Sequence, residues 1–89
     1  MNPNGLSPRN AQQINVAIIA FSPDAKQFAV TNGPFIDRFD VTSEWLDDFK
    51  ENYLLPRGIK VLLVRKINDI DMLGYLKTNI PEIYVGSLN

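Results

Sequence analysis

A chain of 89 residues, 45% hydrophobic and 21% charged, suits one folded domain with a core of modest size and argues against wholesale disorder. Nine basic against ten acidic side chains give a net charge of -1, which removes the broad positive field that non-specific nucleic-acid binding draws on. Cys and His are both absent, so disulfides, thiol nucleophiles, Cys-ligated zinc, Fe–S clusters and imidazole general bases are excluded, and any chemistry falls to carboxylates, Lys, Tyr or Ser.

Residues Met1 to Gln13 are rich in Asn, Gln, Pro and Gly and hold little to bury beyond Leu6. They are expected to form a flexible N-terminal arm, 1–13, ahead of a single domain over 14–89. Ser7-Pro8 could open a short helical turn there. The opening Met1-Asn2-Pro3-Asn4-Gly5 has no cationic segment followed by an apolar one, and no apolar run approaches the roughly 18 residues that span a bilayer. A soluble, cytoplasmic protein without membrane contact is the expectation. Ile14 to Phe21 comes next; Ile14, Ala17, Ile18 and Phe21 fit helical spacing, but the β-branched Val16, Ile18 and Ile19 favour a strand.

In Phe21-Ser22-Pro23-Asp24-Ala25-Lys26, Pro presets a turn dihedral while Ser and Asp can bond back to the backbone, so a hairpin leads into a second strand from Gln27 to Thr31. The stretch from Ala20 to Val30 resembles the recurrent Phe-Ser-Pro-Asp-Gly hairpin of WD40-type and related β-propeller blades, with Ala25 where those blades carry Gly. The resemblance implies shared turn chemistry only, because one blade cannot close a propeller of at least about four. Asn32-Gly33 then signals a two-residue turn. Pro34 follows, so Phe35 to Asp40 is expected as an edge strand or an extended connection, its anchors Phe35 and Ile36 lying beside charged Asp37, Arg38 and Asp40.

Thr42 or Ser43 is placed to cap a helix running to about Tyr53, with Trp45, Leu46, Phe49 and Tyr53 on its buried face. Leu55-Pro56-Arg57-Gly58 stops it. Ile59 to Lys66 holds four consecutive apolar residues, Val61 to Val64, and reads as a strand covered on both faces at the centre of the sheet. Asn68 or Asp69 is expected to cap a second helix through about Asn79, with Ile70, Leu73, Leu76 and Ile80 as its buried stripe. Gly74 within that helix costs about 1 kcal/mol relative to Ala and suggests a close approach to a neighbour. Pro81 ends it, and Glu82 to Val85 forms a last strand, parallel to the central one through a right-handed crossover. The fold class is α/β (α+β mixed): a small single-layer mixed sheet of roughly four or five strands with two helices, in the order β-β-(β)-α-β-α-β.

In open α/β sheets ligands sit beyond the carboxyl ends of parallel strands, which nominates Arg65, Lys66, Asn68, Asp69 and Asp71. That turn has no Gly and sets carboxylates at the helix start, so phosphate and dinucleotide sites are disfavoured. Asp69 and Asp71 read as helix caps before cation ligands. No cofactor is expected. Pro23-Asp24 followed by Asp48-Phe49-Lys50 resembles the Pro-Asp…Asp/Glu-x-Lys pattern of restriction-type nucleases, but that pattern needs its second pair on a strand, and here it falls on the predicted helix. Asp37 and Asp40 are the nearest carboxylate pair for acid–base work.

Glu44, Asp47, Asp48 and Glu51 form an acidic ridge whose i,i+4 pairs repel mildly, and its default role is a solvated face. The alternative is a docking surface for a basic partner. Trp45, Phe49 and Tyr53 read as core in preference to a base-stacking platform. By elimination, the sequence points to a small non-enzymatic protein-binding or regulatory module that acts through the exposed sheet edge and the acidic helix face. Its partner-binding residues are Phe35, Asp37, Arg38, Asp40, Glu44, Asp47, Asp48 and Glu51, and its partner is another protein, with a homo-oligomer as a further expectation. Two alternatives stay open. One is a carboxylate- and Lys-dependent hydrolase or nuclease subunit active as an oligomer. The other, disfavoured by charge, is a nucleic-acid binder using Arg38, Arg57, Lys60, Arg65 and Lys66.

Overall fold

The structure, a computed structural model, describes residues 15–65 and 71–88. Five strands, β1 (Val16–Phe21), β2 (Gln27–Asn32), β3 (Phe35–Asp40), β4 (Val61–Arg65) and β5 (Tyr84–Leu88), make one mixed sheet ordered β3-β2-β1-β4-β5. Helix α1 (Trp45–Phe49), which continues as a π-helix over Lys50–Leu54, precedes β4, and α2 (Met72–Asn79) joins β4 to β5. This is an α+β fold in the order β-β-β-α-β-α-β, as the sequence predicts. The first three strands form an antiparallel meander, while β1 with β4 and β4 with β5 are parallel. The arm over 1–13 and the cap candidates Asn68 and Asp69 lie outside the described residues.

Local chemistry sets both hairpins. In the first, Asp24 Oδ1 accepts from Ser22 Oγ at 2.6 Å and from the Lys26 amide at 3.0 Å, closing the turn expected of Ser-Pro-Asp. Ala25 there takes a φ of 58°, the left-handed region that glycine favours. In the second, Asn32 pairs with Phe35, so the loop is Gly33-Pro34 and not Asn32-Gly33. Gly33 at φ 66° supplies the positive first loop position and Pro34, fixed near −65°, the second. Asn32 is a strand residue, and its Nδ2 donates to the Val16 carbonyl at 3.0 Å.

The centre of the sheet is β1, not β4. The run Val16 to Phe21 is as unbroken as Val61 to Val64, and it alone pairs antiparallel on one side, with β2, and parallel on the other, with β4. Nor is β4 covered on both faces, because Leu62 and Val64 are buried while Val61 and Leu63, which alternate with them, are only half-buried. One cluster holds the whole core: Ala17, Ile19, Phe21, Phe28, Val30, Leu62, Val64 and Val85 from one face of the sheet, Trp45, Phe49, Tyr53 and Leu54 of the first helix, Leu76 and Ile80 from the second, and Ile59 and Ile83 from the connections that lead into β4 and β5. Both helices therefore lie on the same face.

Helix ends differ from the sequence expectation. Neither Thr42 nor Ser43 caps α1; Glu44 holds that position without a side-chain bond. The π-turn that follows is closed by the Leu55 amide bonding to the Lys50 carbonyl at 3.0 Å. The extra residue in that turn leaves Tyr53 stacked on Phe49 and also turns Leu54 fully into the core. Asp71, rather than Asn68 or Asp69, caps α2, its Oδ1 accepting from the Gly74 amide at 2.9 Å. The close approach at Gly74 is to that cap, since a Cβ there would stand 2.5 Å from Asp71 Oδ2. Leu76 and Ile80 are buried and Leu73 packs against the core, whereas Ile70 lies outside the described residues. The last strand begins two residues later than expected, at Tyr84.

Candidate functional site

Strand β3 is an edge, and its register states which backbone groups are free. The two-residue loop makes Asn32 and Phe35 the closing hydrogen-bonded pair, and the Val41 amide bonding to the Lys26 carbonyl at 2.8 Å continues the same parity. In an antiparallel ladder bonded and non-bonded pairs alternate. Phe35, Asp37 and Phe39 thus turn their backbone groups toward β2, and Ile36, Arg38 and Asp40 turn theirs outward. Among the described residues no strand lies beyond them. The apolar anchors at the start of this edge are unusually bare, with Phe35 68% and Ile36 60% exposed.

Side chains alternate the other way. Phe35, Asp37 and Phe39 project to the helical side, where β3 and the first helix leave a groove of about 520 Å³ between them. Its walls carry the rings of Phe39, Trp45, Phe49 and Tyr53 together with Asp37, Asp48 and Arg57. A second hollow of about 370 Å³, bounded by Asn32 and Phe35, shares Asp37, Tyr53 and Arg57 with it. The two make one trough along the inner side of the edge.

A bonded trio holds the middle of that trough. Tyr53 Oη donates to Asp37 Oδ2 at 2.8 Å, and the Arg57 guanidinium lies 3.8 Å above the Tyr53 ring while Nη1 donates to the Tyr53 carbonyl at 3.2 Å. Burial, with the Asp37 bond second, pushes the Tyr53 phenol up to about 12. The aromatic wall is continuous: Phe49 stacks on Tyr53 with centroids 5.4 Å apart, and Phe39 meets both rings edge-on.

The predicted partner-binding residues divide between two places. Phe35, Asp37, Asp48 and, at its end, Asp40 border the trough, whereas Arg38 lies on the opposite face of the sheet, on which the Asp40 carboxylate also accepts from Gln27 Nε2 at 3.1 Å. Glu44, Asp47 and Glu51 stay exposed on the helix. The ridge is not uniformly free, because Lys50 lies 3.9 Å from Glu51 and bonds Glu82 at 3.1 Å. Those carboxylates, Glu82 first, hold the Lys50 ammonium above its ordinary range, while the Glu82 carboxyl is held below its own by its own backbone amide first and by the bond from Lys50 second.

Other candidates are not brought together. Asp37 and Asp40 point to opposite faces of β3. Asp24 is bound into the β1–β2 turn by Ser22 and the Lys26 amide, whereas Asp48 and Lys50 lie on the helix and not on a strand beside it. Arg38 and Arg65 share the open face with two strands between them, Arg57 is engaged with Tyr53, and Lys66 lies outside the described residues. Among the described residues no group of three or more His, Cys, Asp or Glu is placed to hold a metal ion, and no helix is long and apolar enough to cross a membrane. Sequence reasoning reads Tyr53 only as core and Arg57 only as a cation of the nucleic-acid alternative, and so misses the two together as a site. Their i,i+4 spacing is the available signal, and it runs across Pro56, where the sequence predicts that the helix has already stopped. No family model, curated protein or solved structure matches this chain.

Proposed function

We propose that the protein is a non-enzymatic binding module that captures an extended segment of another protein by strand addition along β3. What carries the reading is the coincidence of an edge whose Ile36, Arg38 and Asp40 backbone groups face outward with a ring-lined trough directly beneath it. Strand addition draws affinity from main-chain hydrogen bonds and specificity from pockets for alternate side chains. Along β3 those alternate positions fall over the trough, where Phe39 and Tyr53 offer aromatic walls and Asp37 and Asp48 offer negative charge. The exposed Phe35 anchors one end. Glu44, Asp47 and Glu51, exposed on the helix beside it, add a negative field that speeds encounter with a basic partner more than it tightens the complex.

The test uses proline as a blunt instrument on one strand. Pro at position 38 removes an outward donor and sets its ring against an incoming strand, but touches no hydrogen bond to β2. Arg38→Pro and Phe35→Asp should each abolish retention of partners captured from native cell extract while leaving the circular dichroism spectrum intact. Partner binding should also slow amide exchange at Ile36, Arg38 and Asp40. Capture indifferent to both substitutions, or protection confined to another surface, would sink the reading.

A further inference from the structure

The two strands at the heart of the sheet are apolar along their whole inner length: Val16 to Phe21 in β1 and Val61 to Val64 in β4. Uninterrupted runs of this kind belong to strands covered on both faces. Here both helices cover one face alone. On the other, Ile18, Ala20, Ala29, Val61 and Leu63 are half-buried and Val16 is 37% exposed, with no described helix above them.

The register gives this face a shape and a charge. Arg38, Ala29, Ala20 and Arg65 follow one another across β3, β2, β1 and β4 in a single row, and the next row runs Ile36, Thr31, Ile18, Leu63. Three strand spacings set the backbones of the two arginines about 14 Å apart. Both arginines are exposed, and what lies between them is small and apolar. A floor of alanines with a cation on either bank is the cross-section of an α-helix, about 10–12 Å across with its side chains. Asp40 is the one carboxylate on the described strands of this face, and it is held by Gln27 at 3.1 Å.

We infer that the open face docks an amphipathic helix from another protein, its apolar stripe on Ala20, Ala29 and Ile18 and its flanking carboxylates on Arg38 and Arg65. The occupant completes a second helical layer, the arrangement that covers sheets of this kind. Single-stranded nucleic acid fits the face less well, because base stacking wants aromatic side chains. The aromatic present, Tyr84, is on the far edge strand, where its ring lies over Gly86. This inference is independent of strand addition at β3, since it uses the face of the sheet and not its edge.

The experiment titrates the full chain into three fluorescent probes: a helical peptide with a Leu stripe flanked by Glu on both sides, its Lys-flanked counterpart, and a single-stranded oligonucleotide. The Glu-flanked peptide should bind, and Arg38→Glu and Arg65→Glu should each weaken it by roughly tenfold. The double variant should reverse its preference and take the Lys-flanked peptide, a readout that lost folding cannot imitate. Equal affinity for both peptides, binding of neither, indifference to the charge reversals, or preference for the oligonucleotide would overturn the inference. So would self-association in sedimentation that the same reversals abolish.

Discussion

Tyr53 joins the core to the candidate trough, and its proton reports on both. Its ring belongs to the buried column with Phe49, while its hydroxyl donates to Asp37 and so must stay protonated. Burial first, and the Asp37 bond second, raise its pKa from 10.0 to about 12. Because the folded value is the higher, the stabilisation is complete below pH 10 and is lost as pH rises through about 12. The loss is on the order of 3 kcal/mol. Tyr53→Phe removes this linkage, so urea unfolding at a series of alkaline pH values should show the wild type declining over that window relative to the variant. Parallel curves for the two proteins would mean that the phenol is not held. In the sequence only the four-residue spacing to Arg57 marks this residue out from the other aromatic positions, and its partner Asp37 lies sixteen residues away on a strand that has to be placed first.

Elements read well from sequence where the signal was local, and poorly where two local signals competed. The Ser22-Pro23-Asp24 turn is closed by the side chains that announced it. By contrast, α2 had three candidate caps within four residues, and the choice fell to Asp71 because its carboxylate reaches the Gly74 amide. Gly74 and Asp71 are therefore one device. Asp71→Ala should cost about 1 kcal/mol, the usual value of an N-cap. Gly74→Ala alone should be near neutral, because a gain of about 1 kcal/mol in helix propensity is offset when the new Cβ pushes the carboxylate off the amide. Made in the Asp71→Ala background, the same Gly74→Ala should recover the full gain. Denaturant unfolding of the four proteins should give a coupling of about 1 kcal/mol, and additivity within about 0.3 kcal/mol would refute it. The π-turn at Lys50–Leu54 was not legible, because aromatic residues four apart suit either pitch and only the buried Leu54 tells them apart.

At the scale of the molecule, an apolar run records how much of a strand is covered but not which strands stand beside it. That is why the sequence points to β4 as the centre, and why β1, the true centre, reads there merely as a hairpin arm. The edge at Phe35–Asp40 was legible because Pro34 and the interleaved charges are residues that interior strands exclude; the trough beneath it was not, because it depends on where a distant helix lands. Strand order carries its own consequence in amide exchange. A strand bonded on both sides opens only when the sheet does, whereas an edge strand protects alternate amides. Native-state exchange followed by NMR should find the slowest amides in β1, between Val16 and Phe21. Along β3, Phe35, Asp37, Phe39 and Val41 should be protected, while Ile36, Arg38 and Asp40 exchange orders of magnitude faster. A smooth gradient in place of that alternation would move the edge elsewhere and take the proposed docking strand with it. Amides of β4 outlasting those of β1 would restore the arrangement that the unbroken run at Val61–Val64 first suggests.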